Sequence, residues 1–209
     1  MIPDQKIVIT GMGAISSVGL NCQETFDSLV AGRSGISRVS LFDPSNIDCQ
    51  VAGEVKEFEP GRYMDRKMAR RIGRYAQFSI AATQEALAQS GLDLANQDPS
   101  RIACVVSSAI GDFPMLEEQM NSFFCGKRRT ISPFTVPRVS TSMAAANIAL
   151  EYGLTGVSFG LSSACATGSH SLATAMMLLK LGQADIVQPD EADVLLELEE
   201  KEGVASAAS

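Results

Sequence analysis

The sequence predicts an α/β fold in which helices cover a central sheet, and two strand-like segments carry most of this prediction. Ile7 to Gly13 (IVITGMG) is a β-branched run that ends in glycines, and Ile102 to Gly111 (IACVVSSAIG) is almost wholly apolar. A strand without polar alternation is typical of a sheet that is buried on both faces. Segments with helical spacing follow each strand, and such alternation favours a layered α/β domain.

The other elements are predicted from spacing, caps and breakers. In chain order they are a helix after the Asn21 cap up to Gly32, a short strand at Val51–Val55, a long helix from about Met64 to Gln89 that Gly91 closes, a helix at Met115–Phe124, a helix at Val139–Leu150, a strand at Val157–Ala164, a mostly apolar helix at Ala166–Gly182 and the start of a strand at Ala184–Val187.

Composition excludes several classes of protein. The 209 residues are 45% hydrophobic, and no apolar run reaches the roughly 20 residues that a membrane helix needs. The opening MIPDQKIVITG is too short and strand-like for a signal peptide. Five cysteines without a C-x-x-C pair and a single histidine support neither a metal site nor a disulfide framework. We therefore expect a soluble, cytoplasmic protein without a metal or cofactor.

The negative charge is concentrated at the end of the chain. Seven acidic residues and one lysine stand in residues 189–209, which gives this segment a net charge of −6 out of −7 for the whole chain. The segment is acidic and then Ala/Ser-rich, and Pro189 interrupts the preceding strand. The predicted organisation is thus one domain over residues 1–188, incomplete at its last strand, and a disordered tail over residues 189–209.

The segment with most chemical content is Ser162–Gly182, SSACATGSHSLATAMMLLKLG. A strand ends at a Ser-Ser-Ala-Cys turn and an apolar helix starts at once, so the thiol of Cys165 is expected at the helix N-terminus. The unpaired N–H groups there would stabilise a thiolate and could receive an oxyanion. The alternative is a structural cysteine, since free cysteine is among the most buried residue types.

Six ordered motifs resemble the elongating β-ketoacyl-acyl-carrier-protein synthases of the thiolase-like superfamily. They are V-I-T-G-M-G (8–13), A-G-R-S-G-I (31–36), M-D-R-K with R-R (64–71), S-A-I-G (108–111), I-S-P-F-T-V-P (131–137) and A-C-A-T-G-S-H (164–170). The resemblance covers residues 5 to about 187. It implies the N-terminal half of the thiolase-like layered αβαβα fold.

The resemblance also implies roles for single residues. Cys165 matches the nucleophile that accepts the acyl chain, and its backbone N–H matches an oxyanion donor. Ile110 matches an apolar gate of the acyl pocket, and Phe134 lies in a loop that helps line this pocket across the family's dimer interface. Thr135 replaces a residue that is often aromatic in relatives, so no chain-length preference follows. His170 also occurs in the family, outside its catalytic set, and is expected to be structural.

The resemblance implies acyl carrier protein, loaded with acyl and malonyl groups, as the partner. Lys67, Arg70 and Arg71 are candidate contacts, because arginines at 62, 66, 70 and 74 would give one helix a basic face that complements this acidic protein. A solvated helix face is the alternative. Nucleic acid is disfavoured because residues 1–188 are nearly neutral and only Tyr63 and Tyr75 stand near the basic residues.

The family reaction also uses two histidines, a lysine and a glycine-rich loop from a C-terminal half. This sequence contains no H-G-T-G-T, K-x-x-x-G-H or G-F-G-G. The segment V-L-L-E-L-E-E (194–200) is similar to a later family segment, which is the basis for a hypothesis of an internal deletion. We expect that Cys165 can be acylated but that full condensation fails. We also expect the uncovered apolar face to cause aggregation or self-association.

Two other functions remain open from the sequence. One is a non-catalytic partner subunit that pairs with an intact synthase through the helix at Val139–Leu150. The other is a ketosynthase fragment of a polyketide pathway, although such proteins usually carry D-T-A-C-S-S where this chain has S-S-A-C-A-T.

Overall fold

A computed structural model describes residues 6–126, 129–189 and 194–198 of the chain. The strands are β1 (Ile7–Met12), β2 (Ile36–Arg38), β3 (Val51–Gly53), β4 (Ile102–Val105), β5 (Ser158–Phe159), β6 (Ile186–Pro189) and β7 (Val194–Leu198). The helices are α1 (Cys22–Val30), α2 (Arg66–Arg71), α3 (Arg74–Ser90), α4 (Phe113–Phe124), α5 (Thr135–Val139), α6 (Met143–Tyr152) and α7 (Thr167–Lys180). Single 3₁₀ turns stand at Pro60–Arg62, Leu94–Asn96, Pro99–Arg101 and Ala164–Ala166.

Five strands form the central sheet in the order β1-β7-β6-β4-β5, while β2 and β3 form a separate antiparallel pair. β4 runs parallel to β5 and β6, whereas β7 runs antiparallel to both of its neighbours. Every residue of β4 is buried. The prediction of an α/β fold with a strand that is buried on both faces is therefore confirmed.

The two faces of β4 belong to two different hydrophobic clusters. Cys104 and Val106 pack with residues of α3 and α6, whereas Ala103 and Val105 pack with residues of α7. Successive side chains of a strand point to opposite faces, so this alternation puts α3 and α6 on one side of the sheet and α7 on the other. This part of the chain therefore has three layers, with the sheet between two layers of helices.

Glycine allows α3 to approach the end of β1. A Cβ atom on Gly11 would lie 2.1 Å from the Ala86 carbonyl oxygen, and one on Gly13 would lie 1.9 Å from the Ala82 carbonyl oxygen. Real Cβ atoms do not approach backbone oxygens so closely, so the two glycines of the T-G-M-G motif are needed for the packing of this helix on this strand. The side chains of Glu85 and Gln89 then accept hydrogen bonds from the backbone of the loop and of β1.

The long helix predicted from Met64 to Gln89 is wrong, because the chain breaks into α2 and α3 at Ile72 and Gly73. Ile72 is extended, and Gly73 is the N-cap of α3. A Cβ atom at Gly73 would lie 2.7 Å from the Tyr75 ring and 3.0 Å from the Arg138 carbonyl oxygen, so the close packing at this break requires glycine. The arginines at 62, 66, 70 and 74 therefore do not share one helix. The helix predicted from Val139 likewise starts later, at Met143.

The structure also corrects the prediction for the tail. Pro189 is the last residue of β6, where it lies opposite Val105, and residues 194–198 form β7. The prediction of disorder is thus wrong for these residues, and 190–193 and 199–209 lie outside the described part of the chain. β7 pairs with β1 on one side and β6 on the other, and its Leu196 is 3% exposed. An acidic segment therefore supplies an interior strand of the sheet.

Several apolar side chains of the helices remain exposed. Met177 and Leu181 at the end of α7 are 55% and 64% exposed, and Leu150 on α6 is 78% exposed. These side chains are candidates for the uncovered apolar face that the sequence predicts. None of the helices within the described residues is both long and apolar enough to cross a membrane.

Candidate active site

Cys165 lies on the 3₁₀ turn Ala164–Ala166, immediately before α7 begins at Thr167. Its side chain is exposed. The sequence-based alternative, a structural cysteine buried in the core, is therefore wrong. Cys165 therefore precedes the N-terminus of α7, where the helix dipole favours negative charge.

The turn that carries Cys165 has an unusual backbone. Ala164 has a φ of 53°, in the left-handed region that residues with a side chain rarely adopt. The residue before Cys165 therefore turns the chain sharply into α7. Such a conformation persists only where its surroundings hold it.

Thr167 supplies two of the contacts that hold this turn. Its Oγ1 accepts a hydrogen bond from the backbone N–H of Ser163 at 3.0 Å and donates one to the carbonyl oxygen of Ala164 at 2.7 Å. The side chain is buried, with 1% of its surface exposed. The hydroxyl thus links the Ser162–Ser163 peptide group to the Ala164–Cys165 peptide group, across the segment that contains the left-handed residue.

His170, on α7, also contacts the 3₁₀ turn that carries Cys165. Its Nδ1 lies 2.7 Å from the Oγ of Ser163. The contact ties α7 to the residue that precedes Ala164, in agreement with the structural role expected for His170. Deeper in the helix, the hydroxyl of Ser171 donates to the backbone carbonyl of Val105, which anchors α7 on β4.

The loop of Ile110 lies beside the Cys165 turn. Because β4 and β5 are parallel, the segments that leave their carboxyl ends meet at one edge of the sheet. The hydroxyl of Ser162 donates to the carbonyl oxygen of Ala109 at 3.3 Å, which joins the two segments. The side chain of Ile110 is exposed. The structure therefore brings two of the predicted site residues, Ile110 and Cys165, to one place.

A second group of predicted residues gathers at α2. The side chains of Arg66, Lys67, Arg70 and Arg71, here called the basic patch, border an open depression together with Phe134. The guanidinium carbon of Arg71 lies 5.6 Å from the centre of the Phe134 ring, which is within the range of a cation–π contact. Asp65 is the N-cap of α2, and its carboxylate accepts from the backbone N–H groups of Met68 and Lys67; these bonds lower the pKa of this carboxyl.

An ion pair connects α5, which follows Phe134, with the loop of Ile110. Arg138 on α5 lies 2.7 Å from the carboxylate of Asp112, which is buried and also caps α4. Burial and the nearby Asp112 charge raise the pKa of Tyr75 to about 12, and its hydroxyl donates to the Ser140 carbonyl oxygen at 2.5 Å. The segments after β4 and around α5 are thus fixed to each other.

The sequence did not single out Thr167, Ser162 or Ser163, although all three touch the backbone or side chains around Cys165. The available signal was the run of hydroxyl residues on both sides of the cysteine. This signal is weak, because a hydroxyl residue beside a turn is common and its partner depends on the path of the backbone.

An exposed cysteine at a helix N-terminus, beside the edge where parallel strands end, is the arrangement of enzymes that form a covalent intermediate on sulfur. The chain belongs to the β-ketoacyl synthase family: the family model described as "Beta-ketoacyl synthase, N-terminal domain" matches residues 4–187. The resemblance that the motifs indicate is therefore confirmed, and with it the N-terminal half of the thiolase-like fold.

Two relatives illustrate the similarity. The 3-oxoacyl-[acyl-carrier-protein] synthase 2 of Vibrio cholerae serotype O1 is 35% identical over 181 residues, which are 87% of this chain and 44% of that protein. The protein of the same name from Staphylococcus aureus strain N315 is 32% identical over 185 residues, 88% of this chain and 45% of that protein. The chain therefore spans less than half the length of these relatives.

Two solved structures illustrate the similarity in fold. The ishigamide ketosynthase/chain length factor has a TM-score of 0.79 at 26% identity and covers 88% of this chain and 46% of its own. A type II polyketide ketosynthase in complex with its acyl-carrier protein has a TM-score of 0.74 at 16% identity, over 95% of this chain and 63% of its own. At that identity the second structure supports the fold alone.

Proposed function

We propose that this chain carries the acyl-accepting site of a β-ketoacyl-acyl-carrier-protein synthase of fatty acid biosynthesis, with Cys165 as the acyl acceptor. The observation that carries the proposal is the exposure of Cys165 on a sharp turn at the N-terminus of α7, within the family's own motif. The relatives named above are 3-oxoacyl-[acyl-carrier-protein] synthases, which supports the choice of reaction.

The first half of the proposed reaction is a transthioesterification. The thiolate of Cys165 attacks the carbonyl carbon of the acyl thioester, and a carbon–sulfur bond forms while the carbonyl oxygen takes up negative charge. The backbone N–H of Cys165, which the family resemblance implies as an oxyanion donor, is proposed to receive this charge. The intermediate then expels the carrier's thiolate, which takes up a proton, and the acyl group stays on Cys165.

The second half is a decarboxylative condensation. The malonyl thioester loses carbon dioxide, its carbanion attacks the acyl carbonyl, and the bond to Cys165 breaks to regenerate the thiolate. In the family this step uses the histidines of a C-terminal half, whose motifs are absent from this sequence. We propose that the described chain supports the first half-reaction and that turnover needs further residues. In the family these residues belong to a homodimeric enzyme, and we propose the same assembly for the complete protein.

The remaining site residues take roles in binding. Ile110 and Phe134 are proposed to line the path of the acyl chain, since both are apolar and at least partly exposed. The basic patch is proposed to bind the acidic surface of acyl carrier protein, because its side chains are exposed and gather beside Phe134. We place the protein in the cytoplasm, where its five free cysteines would stay reduced.

Acylation of the chain is the first test. Incubation with octanoyl-acyl carrier protein, followed by intact-protein mass spectrometry, is expected to add one octanoyl group to the wild-type chain and none to Cys165→Ala. Cys125→Ala serves as the matched control, because Cys125 is also exposed but lies after α4. It should be acylated as the wild type is.

A folded chain that takes up no acyl group, or one whose adduct survives in Cys165→Ala, would contradict the proposal. The first of these results would favour the alternative of a non-catalytic partner, which should co-purify with an intact synthase while it shows no turnover.

Charge reversal in the basic patch tests the partner. Arg70→Glu or Lys67→Glu is expected to lower the rate of acyl transfer from acyl carrier protein by about tenfold at low ionic strength, because the charge that steers the encounter is reversed. Transfer from the neutral thioester octanoyl-N-acetylcysteamine should not change. Lys180→Glu, an exposed lysine at the end of α7, is the control. Equal effects of Lys180→Glu and Arg70→Glu would contradict the assignment of the patch.

A further inference from the structure

We infer that Thr167 is a positioning residue for Cys165: its hydroxyl holds the left-handed turn that presents the nucleophile. The inference rests on the proposed function for its catalytic meaning. Thr167 does not act on the substrate itself, since it is 1% exposed and its hydroxyl is engaged on both sides of Ala164.

The need for such a residue follows from the backbone of Ala164. A φ of 53° brings Cβ close to the backbone, so alanine does not keep this conformation unaided, whereas glycine adopts it freely. A contact that holds a backbone group before Ala164 and the carbonyl oxygen of Ala164 at one point restricts the φ and ψ of Ala164, and so favours the left-handed conformation. The two hydrogen bonds of Thr167 are contacts of this kind.

The chemistry of the side chain is specific. One atom must accept from the N–H of Ser163 and at the same time donate to the carbonyl of Ala164, and only a hydroxyl can do both. Serine keeps this capacity. Valine keeps the shape of threonine and loses the hydroxyl, and the buried site gives water little access to replace it.

The remaining contacts of the turn do not substitute for Thr167. His170 contacts the Oγ of Ser163, and Ser162 donates to Ala109. Both contacts hold residues before Ala164. Two backbone bonds also cross this turn, since the N–H of Ala166 donates to the Ser163 carbonyl oxygen at 3.2 Å and the N–H of Thr167 donates to the Ala164 carbonyl oxygen. The hydroxyl of Thr167 adds the bond to the N–H of Ser163 and a second bond to the carbonyl of the Ala164–Cys165 peptide. Without the Thr167 hydroxyl we expect this peptide to relax, and the thiol and the N–H groups ahead of it to lose their mutual orientation.

The experiment compares four variants of the full chain with the wild type: Thr167→Val, Thr167→Ser, Ala164→Gly and the double variant Ala164→Gly/Thr167→Val. The first readout is the rate at which iodoacetamide alkylates Cys165, resolved by peptide mass spectrometry, with the exposed Cys125 of the same molecules as an internal reference. The second readout is the rate of acyl transfer from octanoyl-N-acetylcysteamine. The melting temperature of each variant is recorded as well.

We expect Thr167→Val to lower both rates at Cys165 by about tenfold, since a small displacement of a reacting group can cost up to about a hundredfold. The alkylation of Cys125 should not change. Thr167→Ser should stay within about threefold of the wild type, because the bridging hydroxyl remains. Ala164→Gly should have little effect alone but should restore most of the rate in the Thr167→Val background, because glycine adopts the left-handed conformation without the bridge.

Three results would overturn the inference: alkylation of Cys165 in Thr167→Val at the wild-type rate, an equal loss in Thr167→Ser, or no restoration by Ala164→Gly. A role in stability alone would lower the melting temperature of Thr167→Val and leave the ratio of Cys165 alkylation to Cys125 alkylation unchanged. Ala164→Gly would then have no selective loss of rate to restore. If the wild-type chain takes up no acyl group, the proposed function fails, and the alkylation rates still decide whether Thr167 positions the thiol.

Discussion

Replacement of Leu196 by Asp is expected to abolish cooperative folding of the chain. Leu196 is 3% exposed and packs with Val105, Leu179 and Val187 between the sheet and α7. Truncation of a buried leucine to alanine already costs about 2–5 kcal/mol, and a buried carboxylate adds its desolvation. The total stability of a domain is usually about 5–15 kcal/mol, so this one change is large enough to unfold it.

The control for this prediction is the neighbouring residue of the same strand. Glu197 accepts a hydrogen bond from the hydroxyl of Thr10 at 2.7 Å, and Glu197→Gln keeps an acceptor oxygen at that place. It should change the stability little. Thermal unfolding followed by circular dichroism distinguishes the outcomes. A Leu196→Asp chain that melts cooperatively at the wild-type temperature would show that the stability of the chain does not depend on the burial of Leu196 in β7.

Replacement of Gln188 by Met is expected to stabilise the chain. Gln188 lies in β6 and is 2% exposed, and neither its side-chain nitrogen nor its side-chain oxygen has a hydrogen-bond partner among the residues that the structure describes. The residues around it are mostly apolar and include Leu87, Ile102 and Ile148. A buried polar group without a partner costs about 1–3 kcal/mol, and methionine fills a similar space without that cost. We expect a gain of about this size in the free energy of unfolding.

The matched control is the other glutamine of similar burial. Gln119 on α4 is 3% exposed, but its Oε1 accepts a hydrogen bond from the backbone N–H of Ser132 at 2.9 Å. Gln119→Met should therefore destabilise the chain by about 1–2 kcal/mol, since it leaves this N–H unpaired. Urea unfolding of both variants measures the two changes. If Gln188→Met and Gln119→Met changed the free energy of unfolding in the same direction, the account of the Gln188 site would be contradicted.

The sequence predicted those parts of the fold and site that depend on local patterns. The apolar run at Ile102 predicted a strand that is buried on both faces, and the turn before α7 predicted that Cys165 lies at the N-terminus of a helix. In each case the signal lies within about ten residues, where periodicity and turn chemistry act. The family motifs added roles for Ile110 and Phe134, and these roles remain predictions.

The errors arise from contacts that are distant in the sequence. The strand β7 pairs with β1, and the two are separated by almost the whole chain. Its acidic neighbours suggested a solvated tail, yet Leu196 points into the core while Glu197 pairs with Thr10. At the break before α3, Gly73 likewise packs close to Asp112 and Arg138, which are distant in the sequence.

The position of Thr167 was missed for a related reason. Its role depends on the backbone angle of Ala164, and an alanine in the sequence gives no sign of a left-handed conformation. Glycine would have signalled such a turn. The pattern A-C-A-T-G therefore indicated Cys165 as the proposed acyl acceptor but gave no sign of the proposed role of Thr167.

The most direct test of the central claim, that this fold makes Cys165 an acyl acceptor, is the distribution of acyl groups among the cysteines. The native chain and the chain in urea are each treated with octanoyl-N-acetylcysteamine, digested and mapped by mass spectrometry. We expect acylation of Cys165 alone in the native chain, although Cys49 and Cys125 are also exposed, and no preference among the cysteines in urea. Equal acylation of the three exposed cysteines in the native chain would contradict the claim.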